Sequence, residues 1–252
     1  MTDNPFATDY VERDTFHDDF DIGELKVATK SPVYHDDLIQ GSDEWLAARC
    51  GLLTASEMRL ILTPTLKVAN NDKTRAHVYE LLAQRVTKYV EAHYISDDML
   101  RGHDDEIEAR RLYHVERAKV SNVGFITNDQ WGFTIGYSPD GLVGDDGLIE
   151  CKSRRQKFQV QTFIEGCVPD DYMMQLQTGL LVTGRKWIDF VSYSGGLPLF
   201  VTRVEPDPEY QEAIVAGAAA FEVQLAEKLE IYRAAVEGLA LTERRVEQEM
   251  FA

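Results

Sequence analysis

The chain of 252 residues predicts a single α/β domain, a central mixed β-sheet flanked by helices. Three observations carry that reading. Between Gly124 and Lys152, short apolar stretches alternate with Gly/Asp-rich turns, the pattern of strands joined by hairpins. Lys186–Tyr193 and Leu199–Val204 are two more apolar runs, joined through Gly195-Gly196. Around them, Asp72–Lys88, Arg101–Tyr113, Asp170–Gly184 and a long stretch from Pro208 carry helical apolar spacing.

Residues 1–37 are polar and acidic, with Asp18, Asp19, Asp21, Asp36 and Asp37, and lack sustained periodicity. They read as a flexible arm in which Glu24–Thr29 is a candidate edge strand; residues 38–252 form the domain. From Gln40 to Arg49 a short helix is expected, with Ser42 as N-cap, acids in its first turn, and Trp45 and Leu46 in the core. Thr54 and Glu57 then form a capping box, which puts Ser56 in the first turn of the next helix. A helix start with a hydroxyl beside Arg49 is able to hold an anion. Taken alone, the pair reads as a helix-start serine and a surface arginine.

Asp72 caps the next helix, whose Val78, Leu81, Leu82 and Val86 face inward. In the helix after it, Glu106 shares a face with Ala109 and Tyr113, an unusual place for a carboxylate without a partner. Asp104, Asp105 and Glu108 read as a solvated acidic face, and His103 and His114 as surface residues.

The stretch Gly136–Lys152 organises the rest. It reads as a hairpin whose first strand ends at Asp140, while period-2 alternation in the second puts Glu150 and Lys152 on one face and Ile149 and Cys151 on the other. Two converging carboxylates repel, so the arrangement calls for a cation, and hard oxygen ligands suit Mg²⁺ or Mn²⁺. Lys152 then orients or deprotonates a water, or stabilises charge developing on a phosphate. Just beyond lie Arg154, Arg155 and Lys157, the densest basic cluster of the chain. The Asp170–Gly184 helix carries Gln175 and Gln177. In the last helix Ile214, Ala218, Phe221, Leu225, Leu229 and Tyr232 make a stripe suited to core or subunit packing.

Composition excludes several classes. Hydrophobic content of 44% with 27% charged residues is that of a soluble globular protein, and no apolar run approaches a membrane span. Met1–Pro5 has neither a basic region nor a hydrophobic segment for secretion. The 3 cysteines, Cys50, Cys151 and Cys167, lack zinc spacing and are too few for a four-thiolate iron–sulfur cluster, so a reducing cytoplasm is expected. A net charge of −17 argues against coating nucleic acid by bulk electrostatics; DNA contact requires a local basic surface.

Ser138-Pro139-Asp140-Gly141, followed by Glu150-Cys151-Lys152, resembles the core of the PD-(D/E)xK nucleases, and in particular the lambda-exonuclease-like (YqaJ-type) viral recombinase family. Three further stretches fit that family in order: Glu44-Trp45-Leu46 through Arg49 and Gly51 to Thr54-Ala55-Ser56; Gly102, Glu106, Ala109 and Tyr113; and Tyr172, Gln175 and Gln177. The first 37 residues depart from the pattern. The resemblance implies a restriction-endonuclease-like core and a Mg²⁺-dependent exonuclease, with Mn²⁺ as a substitute and two ions per site. It would degrade the 5′-ended strand of linear duplex DNA and leave a 3′ single strand for a phage-type annealing recombinase. Glu106, Asp140, Glu150 and the Cys151 carbonyl would hold metal, Lys152 and Gln175 would position water, and Arg49, Ser56 and Ser138 would hold the terminal 5′ phosphate. Arg154 and Arg155 would follow the DNA backbone. Subunits would close into a ring, such as a trimer, in the cytoplasm of a bacterial host carrying a phage or prophage. The alternatives are another nuclease of this core, an endonuclease or RecB-like repair enzyme, and a non-catalytic DNA-binding or assembly protein.

Overall fold

The structure is a computed structural model and describes residues 32–91 and 97–244. The elements of its first half are β1 (Val33–His35), α1 (Asp43–Arg49), β2 (Leu53–Thr54), a 3-10 turn (Ala55–Glu57) running into α2 (Met58–Ile61), α3 (Asp72–Thr87) and α4 (Asp97–Glu116). Next come β3 (Val120–Ser121), β4 (Phe125–Asn128), β5 (Ile135–Tyr137), β6 (Gly141–Val143) and β7 (Gly147–Ser153). The chain continues with α5 (Gln156–Glu165), α6 (Asp170–Thr183), β8 (Trp187–Tyr193), β9 (Phe200–Val204) and α7 (Pro208–Val236).

The α/β class holds, but the strands divide between two mixed sheets, ordered β1-β4-β5-β2 and β3-β6-β7-β8-β9. β2 runs parallel to β5 and β7 parallel to β8; the other pairs are antiparallel. The parallel β7–β8 pair needs a long crossover, which α5 and α6 supply. The chain changes sheets between Tyr137 and Gly141. Asp140 therefore stands immediately before β6, not at the end of the hairpin's first strand, and the tight turn is Gly144–Asp146 with Gly144 at φ 54°.

The two faces of β7 separate two cores. Leu148 belongs to the larger one, where α6 (Leu176, Leu180, Val182) meets Ile135 and Tyr137 of β5 and Ile214 and Phe221 of α7. Ile149 and Cys151 point the other way, against Ala109 and Tyr113 of α4, as alternation requires. Each such fully buried apolar side chain stabilises by roughly 1.5–3 kcal/mol. α4 is pinned further: Tyr113 Oη donates to Asp189 Oδ2 at 2.6 Å, and Arg203 braces that carboxylate through Nε (2.8 Å) and Nη2 (2.9 Å) while stacking 3.4 Å over Trp187.

Several expectations are corrected. The end of the N-terminal arm is not free: Val33–His35 pairs with Phe125–Thr127, and the Glu24–Thr29 strand lies outside the described residues. Asn71, not Asp72, caps α3 by accepting from the Lys73 and Thr74 amides. Pro169 stands at the cap of α6 with no side-chain cap bond, Asp170 and Asp171 lie in its first turn, and Gly184 ends it at φ 66°. α1 buries no residue and Leu46 is exposed, because this helix lies at the rim of a cavity. Helix α5 was not legible: no side chain caps it, and Phe158, Val160, Phe163 and Ile164 leave apolar surface exposed. Among the described residues, no helix is long and apolar enough to cross a membrane.

Candidate active site

The switch between sheets builds the site. β5 delivers Tyr137, the connecting residues deliver Ser138 and Asp140, and β7 brings Glu150 and Lys152 alongside on one face. Glu150 is 2% exposed, and four groups fix this pair of carboxylates. Lys152 Nζ donates to Glu150 Oε1 at 2.7 Å, and Gln175 Nε2 of α6 donates to the same oxygen at 2.5 Å. Tyr137 Oη donates to Glu150 Oε2 at 2.8 Å, while the Cys151 amide donates to Asp140 Oδ2 at 2.6 Å.

These bonds do not balance the charge. Burial, and then the Glu150 carboxylate, push the Asp140 carboxyl well above the usual carboxylate range. Burial also raises Glu106, with Lys152 opposing and Glu150 adding to the rise. For Lys152, burial pulls its pKa down, but Glu150, Asp140 and Glu106 together outweigh that and hold it above the ordinary lysine value. One ammonium thus faces three carboxylates, a surplus that a hard cation relieves. Among the described residues, no three His, Cys, Asp or Glu side chains form a ready-made metal cluster. The donor set suits an open site completed by water and substrate oxygen rather than an all-protein cage.

Asp140, Glu150, Lys152 and Gln175 line a cavity of about 180 Å³ that Arg49, Ser56 and Ser138 also line. Seven residues singled out from three of the four stretches therefore meet in one hollow. Their support comes from the capping box: Thr54 donates to Glu57 Oε2 from both N (2.8 Å) and Oγ1 (2.7 Å). With its proton so used, Thr54 Oγ1 is free to accept from Arg49 Nη2 at 3.4 Å and lies 3.3 Å from Ser56 Oγ. Arg49 lies 4.1 Å over the Trp45 ring, and the Trp45 indole N–H donates to Ser138 Oγ (3.0 Å) and to the Gly124 carbonyl (3.2 Å). Among the described residues Arg49 has no ion-pair partner within 4 Å; burial lowers its pKa, with Glu57 opposing. A guanidinium with no ion-pair partner within 4 Å among the described residues, beside two hydroxyls, has the chemistry to hold an anion.

The remaining expected residues lie apart. Glu106 reaches Asp140 from α4 and borders a second, larger cavity of about 490 Å³ that begins at Gln40, Pro139 and Asp140. Arg154 sits outside the small cavity, between Phe158 (5.1 Å) and Tyr172 (5.3 Å), and donates to the Tyr172 hydroxyl at 3.0 Å. Arg155 is exposed at the start of α5. Asp105 is not the solvated acid expected: Ser153 Oγ donates to it at 2.5 Å, tying α4 to the end of β7. Trp45, Tyr137 and Gln40 went unassigned as site residues. For Trp45 a signal was present, since residues four apart on a helix are neighbours and Arg49 is four away.

Two mixed sheets flanked by helices, with Asp140 and Glu150-Cys151-Lys152 offered by adjacent strands, define the PD-(D/E)xK fold. Within that class, the chain belongs to the YqaJ-like viral recombinase domain family, whose pattern matches residues 44–186. Among solved structures it is similar to an alkaline exonuclease (LHK-Exo) from Laribacter hongkongensis, with 34% identity over 79% of this chain and 100% of that one and a TM-score of 0.70. The structure of LHK-Exo in complex with dAMP gives 36% identity, the same coverage of 79% and 100%, and a TM-score of 0.70. No curated protein matched the chain.

Proposed function

We propose that the protein is a divalent-cation-dependent exonuclease acting on the 5′-ended strand of linear duplex DNA, leaving a 3′ single strand. The observation that carries this reading is the shared cavity, in which an anion cradle (Arg49, Ser56, Ser138) lies beside the Asp140, Glu150, Lys152 and Gln175 cluster. A cradle next to the hydrolytic groups measures one terminal nucleotide, which is what separates an exonuclease from an endonuclease. The naming of LHK-Exo as an alkaline exonuclease, and its capture with dAMP, support the same chemistry here.

Glu106, Asp140, Glu150 and the Cys151 carbonyl are the groups we assign to metal, Mg²⁺ with Mn²⁺ as a substitute and two ions when fully loaded. Bound there, the cation would neutralise the scissile phosphate and make its water more acidic. Lys152, bonded to Glu150 Oε1 at 2.7 Å, is placed to position the water and to donate to a phosphate oxygen. Gln175, already donating to Glu150, orients the same region. Tyr137 keeps Glu150 fixed, so the carboxylate requires little reorganisation during reaction. Arg154 and Arg155 are assigned to the backbone of the arriving duplex, a closed ring of subunits to the quaternary structure, and a single-strand annealing recombinase to the 3′ product.

The test is incubation with Mg²⁺ or Mn²⁺ and linear duplex, 5′-phosphorylated or 5′-hydroxyl, beside a closed circle and a Lys152→Ala variant. Loss of the phosphorylated strand with the circle intact and the variant inactive is expected. Cutting of the circle would replace this reading with an endonuclease; no cutting with either ion would leave a binding protein.

A further inference from the structure

The cavity beyond Asp140 shares Glu106 and Asp140 with the site above, but its other walls have no part in that chemistry. Asp140 and Gln40 line both hollows, so the carboxylate stands as a partition between the small cavity and the larger one of about 490 Å³. The partition is held rigidly. Gln40 Nε2 donates to the Pro139 carbonyl at 2.9 Å, and the Cys151 amide holds Asp140 from the β7 side. Behind Asp140 the walls are mixed: Leu38, Ile39 and Ile107 are apolar, Asp36 and Glu106 are acidic, and His103 stands with Arg110 and Asn122, the last two joined at 3.2 Å.

We propose that this larger cavity is the subsite for the second nucleoside of the digested strand, the one on the 3′ side of the scissile phosphate. The inference rests on the exonuclease reading and deepens it. A strand whose terminal phosphate occupies the Arg49 cradle places its first nucleoside in the small cavity and its next phosphate at Asp140, Glu150 and Lys152. Chain continuity then carries the following nucleoside past Asp140, where this hollow opens. Its walls suit the ligand: Ile39 and Ile107 pack against the base and sugar, and Arg110 faces the next phosphate along. In the reaction, water attacks the scissile phosphorus and the O3′ of the first nucleotide leaves with a proton. The new 5′ phosphate remains on the strand held here. A subsite on the retained side keeps the strand bound between turnovers.

Single-turnover release of the terminal nucleotide tests this on linear duplexes whose second nucleotide is either normal or a tetrahydrofuran abasic residue. The enzymes are the unaltered protein, Ile107→Trp and Ile39→Trp, which narrow the cavity from two different segments, α4 and the stretch before α1. Ile107 is 48% and Ile39 74% exposed, so neither change burdens the core, and a thermal melt verifies the fold. The unaltered enzyme is expected to slow about tenfold when the base is missing, the scale on which an apolar pocket discriminates. Each Trp variant should lose about tenfold on the normal duplex and show little further loss on the abasic one. Equal sensitivity to the missing base in all three enzymes would overturn the subsite, because the base would then be felt elsewhere. An unaltered protein that releases nothing from either duplex would instead sink the exonuclease reading on which the subsite depends.

Discussion

Trp45 connects the two halves of the proposed anion cradle, and its substitution has a calculable effect. The indole N–H orients Ser138 Oγ at 3.0 Å, leaving the serine proton free for a phosphate oxygen, while the ring face carries Arg49 at 4.1 Å. Trp45→Phe removes the hydrogen bonds and keeps a ring under Arg49. One neutral bond is worth about 1 kcal/mol, so preference for a 5′-phosphorylated over a 5′-hydroxyl end should fall roughly fivefold. Trp45→Leu also removes the cation–π contact, about 1 kcal/mol at a partly desolvated site, and the fall should approach roughly thirtyfold. Stability should change little, since α1 buries no residue. The assay is the ratio of kcat/KM on phosphorylated and hydroxyl ends, with Arg49→Ala as the reference for complete loss of the preference. A merely structural role for Trp45 would lower both kcat/KM values together. The reasoning is refuted if Trp45→Leu leaves the ratio at the unaltered value while Arg49→Ala collapses it.

Lys152→Met removes the ammonium bonded to Glu150 (2.7 Å), so nucleotide release in a gel assay should fall by at least about a hundredfold, as for loss of a preorganised donor. Gly179→Ala places a Cβ 2.8 Å from the Tyr137 ring, whose hydroxyl holds Glu150, so the ring must shift. Steady-state kinetics should show a fall in kcat larger than in Tyr137→Phe, which loses the bond without displacing the ring; equal rates for all three proteins would discard the claim. Tyr113→Phe removes a bond to the Asp189 carboxylate and should cost about 1.5–3 kcal/mol in urea unfolding at neutral pH. Burial and Asp189 raise the Tyr113 phenol, so as pH climbs past about 10 the unfolded chain loses its proton first and stability declines; the Phe variant should lack that part of the decline.

The site was legible where chemistry sits on a strong local pattern. Period-2 alternation separated Glu150 and Lys152 from Ile149 and Cys151, and the two sides do bury against different partners. The capping box around Ser56 was readable because it lies within four residues. What was hidden depends on tertiary packing. Residues 136–152 read as one hairpin, and nothing local in Ser138-Pro139 announces that the chain passes from one sheet to another. Trp45 looked like core because a large aromatic usually is, yet here its polar edge bonds Ser138, 93 residues away. Asp105 looked solvated because its partner, Ser153, is 48 residues distant. Helix α5 escaped because it inverts the usual signal, burying the polar Gln159 and Thr162 while Phe158, Val160, Phe163 and Ile164 stay exposed.

The net charge of −17 is an obstacle only if DNA is held on the outer surface. The two cations that line the small cavity, Arg49 and Lys152, are treated differently by the fold. Lys152 is committed to Glu150 and outnumbered by carboxylates, so it offers phosphate little attraction until a divalent cation offsets them. Arg49 is supported by a ring and a hydroxyl, neither of which cancels its charge. Its positive field is therefore directed into a recess, where the low dielectric makes it act strongly at short range and weakly outside. An acidic exterior opposes lengthwise binding of a duplex, whereas a terminal phosphate is narrow enough to reach the recess. On the proposed reading, selectivity for ends would follow from where the positive charge is placed rather than from how much of it the chain carries.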